Sequence, residues 1–395
     1  MDLWIQSFRQ RREEYQLTQR EVAEYVGISK RQLIRIENGQ SNLKLKLKEK
    51  LEDALVKLNP NGQLTVLIDY VRIRFKTINA EYVVENILKI KKEHFGHEPF
   101  AFYKYAEQYI IGDIFVFCSM DEEKGVLLEL KGKGCRQFEL YLKAQHRTWY
   151  DFFRQVHAEG AVIKRLDLAV NDEIGILDIP KLAEKCSNGE CISLFRTFKN
   201  YQSGELVRNE EQHKSEMGNT LYIGSLKSEV YFCIYEKDYE QYIKNGTPLE
   251  DAIIKNRFEI RLKSERATQA VYDLICYEDI DGIIFSIINY YMRIVDEDKT
   301  RNRYRWKMNR DWKMFVGEGR RKIKLTIAPE PFDIDNTYNW IAKQVAPTIK
   351  ALKELDEIND TDIIEQLFKE AKLSKKYENL LKNQQIPIEE KIWNR

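Results

Sequence analysis

The pentapeptide NPNGQ, residues 59–63, separates two kinds of apolar pattern. A cluster of Asn, Pro and Gly is turn chemistry and marks a boundary between folded segments. Before it, apolar residues recur at helical spacing. After it come strand-like runs: LTVLIDYVRIRF (64–75), IFVFCSM (114–120), VLLELKG (126–132) and VIKRLDLAVND (162–172). Helical stretches lie between them, at 80–90 and 135–160, and a tyrosine-rich hairpin follows within residues 220–242. Then come the strand RFEIRLKS (257–264), a helix expected from about Glu265 to Ile294, and a basic segment. Strands and helices mixed without regular βαβ alternation predict an α+β fold, with helices laid on antiparallel sheet. From Tyr338 the chain reads as helical and charged, with eight basic and ten acidic residues between Ala351 and Arg395. The expected domains are residues 1–58, 62–335 and 338–395, and no internal repeat is legible.

A chain of 395 residues with 43% apolar content can build two or three cores. No apolar run approaches the roughly 18 residues of a membrane span, and no signal peptide opens the chain, so a cytoplasmic protein without membrane insertion is expected. The six cysteines are scattered with no CxxC pair, which argues against structural zinc and against a disulfide framework. Net charge is only +1, yet residues 301–324 carry ten Lys and Arg against two acids, Asp311 and Glu318. A neutral chain with one concentrated basic segment points to a local nucleic-acid contact.

The N-terminal helices have the grammar of a helix-turn-helix. Thr18 caps a helix and Glu21, three residues on, completes a capping box. Val22, Ala23 and Val26 follow at helical spacing, Gly27 ends that helix, and Ser29 caps the next. The pattern LTQxxVAxxxGIS…IxxIExG resembles the lambda-repressor-like family, in which the second helix enters the major groove. On that resemblance Lys30, Arg31, Gln32 and Arg35 face DNA, with core positions among Leu33, Ile34 and Ile36.

Two strands offer carboxylates. In RLDLAVND, Arg165, Asp167, Ala169 and Asn171 share one face, and Asp172 follows at the strand end. In RFEIRLKS, Arg257, Glu259 and Arg261 share a face. Such a polar face is compatible with simple solvation. It also fits an acidic metal site flanked by arginines that hold phosphate oxygens, with hard oxygen ligands selecting Mg²⁺ or Mn²⁺. None of the five histidines forms a His-x-His pair, so a nicking enzyme of this sequence would hold its metal on carboxylates.

GKGCRQFE (132–139), RLDLAVND, GNTLYIGSLKSEVYFCIYEKDYEQ and RFEIRLK occur in that order. Together they resemble the Rep_trans family of rolling-circle replication initiators. With the added helix-turn-helix, the chain is similar to the MobT relaxases of integrative conjugative elements. The resemblance implies two TATA-binding-protein-like sheets and a metal-dependent nick of one strand at an origin. A tyrosine would attack and remain on the 5′ end. It implies double- and single-stranded origin DNA as partner, with a helicase and a coupling ATPase as further partners and residues 338–395 as a docking surface. Tyr235, at a strand end before Lys237 in the family's tyrosine motif, is the expected nucleophile, with Tyr222 on the partner strand second. Lys237 is expected to stabilise developing negative charge. Asp167 and Glu259, with Asp172, are expected to hold the metal, and Arg165 and Arg257 to neutralise the phosphate. In the basic segment Arg301, Arg303, Arg305, Lys307, Arg310 and Lys313 are expected on DNA, with interleaved aromatics stacking on bases. The rivals are the same chemistry at a plasmid replication origin and a non-enzymatic transcriptional repressor.

Overall fold

The computed structural model describes residues 3–14, 17–40, 44–58, 64–204, 216–317, 346–372 and 387–393. The NPNGQ turn lies outside them. Ahead of it are four helices, α1 (Leu3–Glu14), α2 (Gln19–Val26), α3 (Lys30–Glu37) and α4 (Leu45–Lys57). Both expected caps form: Thr18 and Glu21 make one capping box and Ser29 and Gln32 a second, while Gly27, at φ 78°, closes α2 in the left-handed region that favours glycine. Phe8, Val22, Leu33, Ile36, Leu51 and Leu55 form a core of their own. A buried ion pair, Arg12 Nε to Glu37 Oε1 at 2.6 Å, ties α1 to α3.

The next unit begins with β1 (Leu64–Phe75), a short helix α5 (Ala80–Tyr82), β2 (Gly96–Glu98), β3 (Glu107–Ile111), β4 (Ile114–Cys118) and β5 (Val126–Lys131), followed by α6 (Lys133–Ala144) and α7 (Trp149–Ala158). Then come β6 (Val162–Asp172), α8 (Ile179–Ser187), β7 (Cys191–Ser193), β8 (Phe198–Gly204), β9 (Glu216–Ile223), β10 (Val230–Glu236), α9 (Lys237–Asn245), β11 (Asn256–Lys263) and α10 (Ser264–Tyr277). The main sheet has ten strands in the order β2-β3-β4-β5-β1-β6-β11-β10-β9-β8. Each half runs strand, helix, then strands that fold back until the last pairs with the first. The halves join antiparallel at β1 and β6, so the two expected sheets form one continuous surface. Tyr70 opposes Asp167 at that seam, and a half-turn about this point exchanges the two halves. The duplication is topological, and no repeated residue pattern announces it.

Alternation along the strands produces two unlike faces. Val66, Ile68, Val71 and Ile73 of β1, Leu166, Leu168 and Val170 of β6, and Phe258, Ile260 and Leu262 of β11 form the core. They pack with Phe138 of α6, Phe152 of α7 and Val271 of α10. The opposite face carries the polar residues.

Two stretches depart from expectation. The single helix to Ile294 breaks at Glu278, whose φ is 49°, into α10 and α11 (Ile280–Tyr291), and the chain then enters β12 (Met292–Ile294), which pairs with β7. The second is the basic segment, whose interleaved aromatics are not all open to bases. Arg303–Arg305 make a 3-10 turn and α12 (Arg310–Val316) follows. Its aromatics divide: Trp312 and Phe315 lie in the core against Phe258, with ring centroids 6.3 and 5.5 Å away, while Tyr304 is exposed. Beyond Gly317, the expected basic run to Lys324 lies outside the described residues. At the other end of the chain, helices Ala346–Asn359 and Ile363–Glu370 are largely exposed, whereas Ile392 returns to bridge Ile90 and is buried. Among the described residues no helix is long and apolar enough to cross a membrane.

The division of aromatics predicts opposite stabilities. Trp312→Ala should lower the unfolding free energy by about 3–5 kcal/mol, as truncation of a fully buried aromatic does. Tyr304→Ala should stay within about 0.5 kcal/mol of the parent. Urea denaturation followed by circular dichroism measures both.

Candidate active site

A bulge shapes the polar face at the seam. In β1, Ile68 pairs with Leu168 and Tyr70 with Asp167, so Asp69 is the extra residue. A bulge re-aims side chains. Here Asp69 and Tyr70, although adjacent, both line a cavity of about 770 Å³ on the open face. The cavity is also lined by Asp167, Glu259, Tyr222, Tyr235, Lys237, Arg165, Arg257 and Arg261. Eight of the expected or neighbouring site residues thus come together from β6, β9, β10, β11 and the start of α9.

The polar face is not solvated. Asp167, Glu259 and Arg257 are only 2%, 4% and 7% exposed. Buried charge persists only when paired. Arg165 holds both oxygens of Asp167, Nε to Oδ1 at 2.9 Å and Nη2 to Oδ2 at 2.5 Å. Arg261 grips Glu259 Oε2 from Nε and Nη2 at 2.9 and 2.7 Å, and its Nε is 3.8 Å from Asp167. Arg257 donates to Asp69 Oδ1 and to Asn171 Oδ1, each at 2.8 Å. Burial pushes the Asp167 carboxyl up to about 6, against the pull of Arg165 and with Glu259 adding repulsion.

The two hairpin tyrosines differ. Tyr222 opposes Cys233 in the β9–β10 register, and Tyr235 opposes Thr220, so both phenols face the cavity two positions apart. Tyr235 donates its hydroxyl proton to Glu259 Oε1 at 2.8 Å, and burial, with Glu259 next, raises its phenol well above 10. Burial raises Tyr222 only to about 12, with Cys233 adding to it and Arg261 opposing. Lys237 opens α9, lies 5.6 Å from the Tyr235 ring centroid and is ion-paired with Glu240.

Asp172 stands apart from this group. Its Oδ1 accepts from the backbone of Ile174 and Gly175, its Oδ2 from Leu177 N and Asn256 Nδ2, and it is fully buried outside the cavity. Those four donors give it a structural task, fixing the turn after β6. Asp167 and Glu259 are hard-oxygen donors suited to Mg²⁺ or Mn²⁺, but among the described residues no three His, Cys, Asp or Glu side chains are arranged to hold a metal ion.

Sequence reasoning did not single out Asp69, Lys131, Lys133 or Arg136, which line the same cavity. Asp69 is the lone acid of its strand, which was a usable signal. The three cations come from the KGKGCR turn into α6, where Gly132 donates its N–H to Asp69 O at 2.8 Å. A side chain at Gly134 would place its Cβ 2.2 Å from Asp113 O, so only glycine fits that turn.

Of the expected DNA contacts, Lys30, Arg31, Gln32 and Arg35 are exposed on α3, although the Gln32 side chain is engaged by the cap. Arg301, Arg305, Lys307 and Lys313 are exposed, and Arg303 donates to Gly189 O at 3.2 Å. Arg310 lies 3.7 Å above the Tyr25 ring, joining α12 to the N-terminal helices.

Residues 161–368 match the Rep_trans family, described as replication initiation factor, and residues 65–155 match the rolling circle replication initiation protein N-terminal domain. Residues 8–55 match a helix-turn-helix family. The chain is 38% identical over 320 residues to the Bacillus subtilis protein named "Putative DNA relaxase NicK", covering 80% of this chain and 89% of that one. It is also similar to the solved rolling circle replication initiator protein of Geobacillus stearothermophilus, with a TM-score of 0.57 and 25% identity, over 67% of this chain and 99% of that one.

A pH dependence follows from Asp167. Folded, it keeps its proton to about pH 6; unfolded, it releases it near 3.8. Between those values the folded state binds more protons, so this group's stabilising contribution is lost as pH rises from about 4 to about 6. Asp167→Asn should remove that slope. The parent should therefore lose up to about 3 kcal/mol relative to the variant across this window, measured by urea unfolding at stepped pH without divalent metal.

Proposed function

The chain belongs to the replication initiation factor family, and on that premise we propose that it is a relaxase, nicking one strand of origin DNA through a hairpin tyrosine. The carrying observation is that two hairpin tyrosines share one cavity with buried acids and arginines. Phenols beside paired carboxylates support an enzyme over a repressor.

The smaller upward shift of its phenol, and the hydrogen bond that occupies Tyr235, support Tyr222 as the attacking group, reversing the order expected from sequence. Burial raises both phenols, that of Tyr222 the less, and Arg261 opposes the rise at Tyr222 as Arg257 does at Tyr235. Tyr235 is committed to Glu259 by its hydrogen bond and acts on this reading as a positioning residue. The Tyr222 phenol gives up its proton to solvent as its oxygen attacks phosphorus, the bond to the 3′ oxygen breaks, and the departing oxygen takes up a proton from solvent. The ester left on the 5′ phosphate conserves the bond, so resealing needs no nucleotide hydrolysis. Arg261, Lys131 and Lys133 neutralise the phosphate as charge develops. Arg165 and Arg257 keep Asp167 and Asp69 oriented, and Lys237 anchors the start of α9 beside Tyr235. Asp167 and Glu259 would hold a divalent cation, Mn²⁺ or Mg²⁺, which when bound polarises the scissile phosphate.

Placement on duplex DNA falls to α3, through Lys30, Arg31 and Arg35, with Arg301, Arg305, Lys307 and Lys313 on a second basic surface. Transfer of a mobile element is the favoured setting, since the B. subtilis relative is named a relaxase. Initiation of plasmid replication is the second reading, supported by the likeness to the Geobacillus stearothermophilus replication initiator. The exposed apolar residues Ile358, Leu367 and Phe368 on the C-terminal helices support a docking role for a helicase or coupling ATPase.

A supercoiled plasmid carrying the element's origin tests the proposal. With Mn²⁺, the parent should convert it to the nicked form. Tyr222→Phe should abolish that by about three orders of magnitude or more, and Tyr235→Phe should slow it by about 10–100-fold. The reverse ranking would return the nucleophile to Tyr235. No nicking by the parent, with tight duplex binding, would favour the repressor.

A further inference from the structure

The loop between β2 and β3, PFAFYKYA (99–106), leaves Phe100 and Phe102 63% and 65% exposed. Two large exposed aromatics two residues apart on one loop need an explanation. This loop is well pinned. Tyr103 and Lys104 both have positive φ, 57° and 61°. Backbone of that kind persists where surrounding contacts impose it, and it clusters at ligand clamps. The contacts here are specific. The Tyr103 hydroxyl donates to Glu129 Oε2 at 2.9 Å and accepts from Arg72 Nη2 at 2.7 Å. Tyr105 packs with Phe117 and Leu127 in a small apolar cluster separate from the main core. Lys124 lies 4.2 Å from the Tyr105 ring centroid.

The loop is joined to the active-site cavity by direct contacts. Glu129, which holds Tyr103, also accepts from Tyr70 at 2.5 Å, and Tyr70 lines the cavity. Arg165, the partner of Asp167, sits 4.2 Å over the Tyr70 ring. Exposed Lys131 pairs with Glu129 at 2.7 Å and lines the cavity as well. Contacts therefore run from the paired acids, past Tyr70 and Lys131, to Tyr103 of the loop that carries the two phenylalanines.

We propose that Phe100 and Phe102 form a stacking platform for unpaired bases of the DNA strand that crosses this face beside the nick. The inference rests on the nickase reading, which requires a single strand in the cavity. Cations along the path neutralise phosphates, and the phenylalanine rings accept base faces without regard to sequence.

The test uses the full chain with chelator present, so that binding is read without cleavage. Fluorescence anisotropy compares a labelled oligothymidylate of about 20 nucleotides with an abasic strand of equal length, which keeps phosphates and lacks bases. The parent should prefer the thymidylate. Phe100→Ala/Phe102→Ala should weaken thymidylate binding by about tenfold or more and abolish that preference, while Phe100→Tyr/Phe102→Tyr retains it. A parent-like preference in the alanine variant overturns the platform and leaves nicking untouched. Equal weakening on both strands also overturns it, since phosphate contact alone would then explain the loss. A parent that binds neither strand overturns the platform and the nickase reading together.

Discussion

The two carboxylates at the β6–β11 seam are acidic groups placed where water hardly reaches. The arginines on the same two strands, with the Tyr235 hydroxyl on Glu259, make that tenable. Arg165 holds Asp167, and Arg261 holds Glu259 while approaching Asp167. Removing one partner of such a buried pair typically destabilises by about 3–5 kcal/mol, because the other charge is left uncompensated. Replacing the whole group by apolar residues is often neutral or better. Stability is therefore a weak reason for the chain to keep it. Poised charge that phosphate or metal can recruit is a stronger one. Around it stand the bulge that adds Asp69, the hydrogen bond that occupies Tyr235, and the glycine turn that brings lysines to the rim.

The duplicated topology clarifies the division of labour. The half-turn that places Tyr70 on Asp167 also places Lys131 on Arg261 and Glu129 on Glu259. In the first half the acid is closed off by Tyr70, Tyr103 and Arg72. In the second half the matching acid stays on the cavity with two tyrosines beside it. One scaffold thus carries an occupied copy and an open copy of the same arrangement, and the occupied copy supports the aromatic loop.

Much of this was legible in the sequence. Alternation in RLDLAVND and RFEIRLKS assigned the correct faces to Asp167 and Glu259, because a period of two leaves little freedom once one face is apolar. Capping boxes placed α2 and α3. Asp69 was hidden because its exposure to the cavity depends on a bulge, which no periodicity records. Asp172 looked like a ligand because it ends an acidic strand, yet strand ends are also where a carboxylate caps a turn. The break at Glu278 depends on a non-glycine residue adopting positive φ, which local preference argues against. The ten-strand order arises from pairings distant in sequence, and the burial of Trp312 depends on Phe258, also distant.

The central claim is that a tyrosine of the β9–β10 hairpin becomes covalently joined to DNA. Tandem mass spectrometry of the protease-digested adduct, formed on a single-stranded origin fragment with Mn²⁺, tests it directly. Nucleotide mass is expected on Tyr222 within the hairpin peptide. An adduct on a residue outside the hairpin, or cleavage with no adduct, would contradict it.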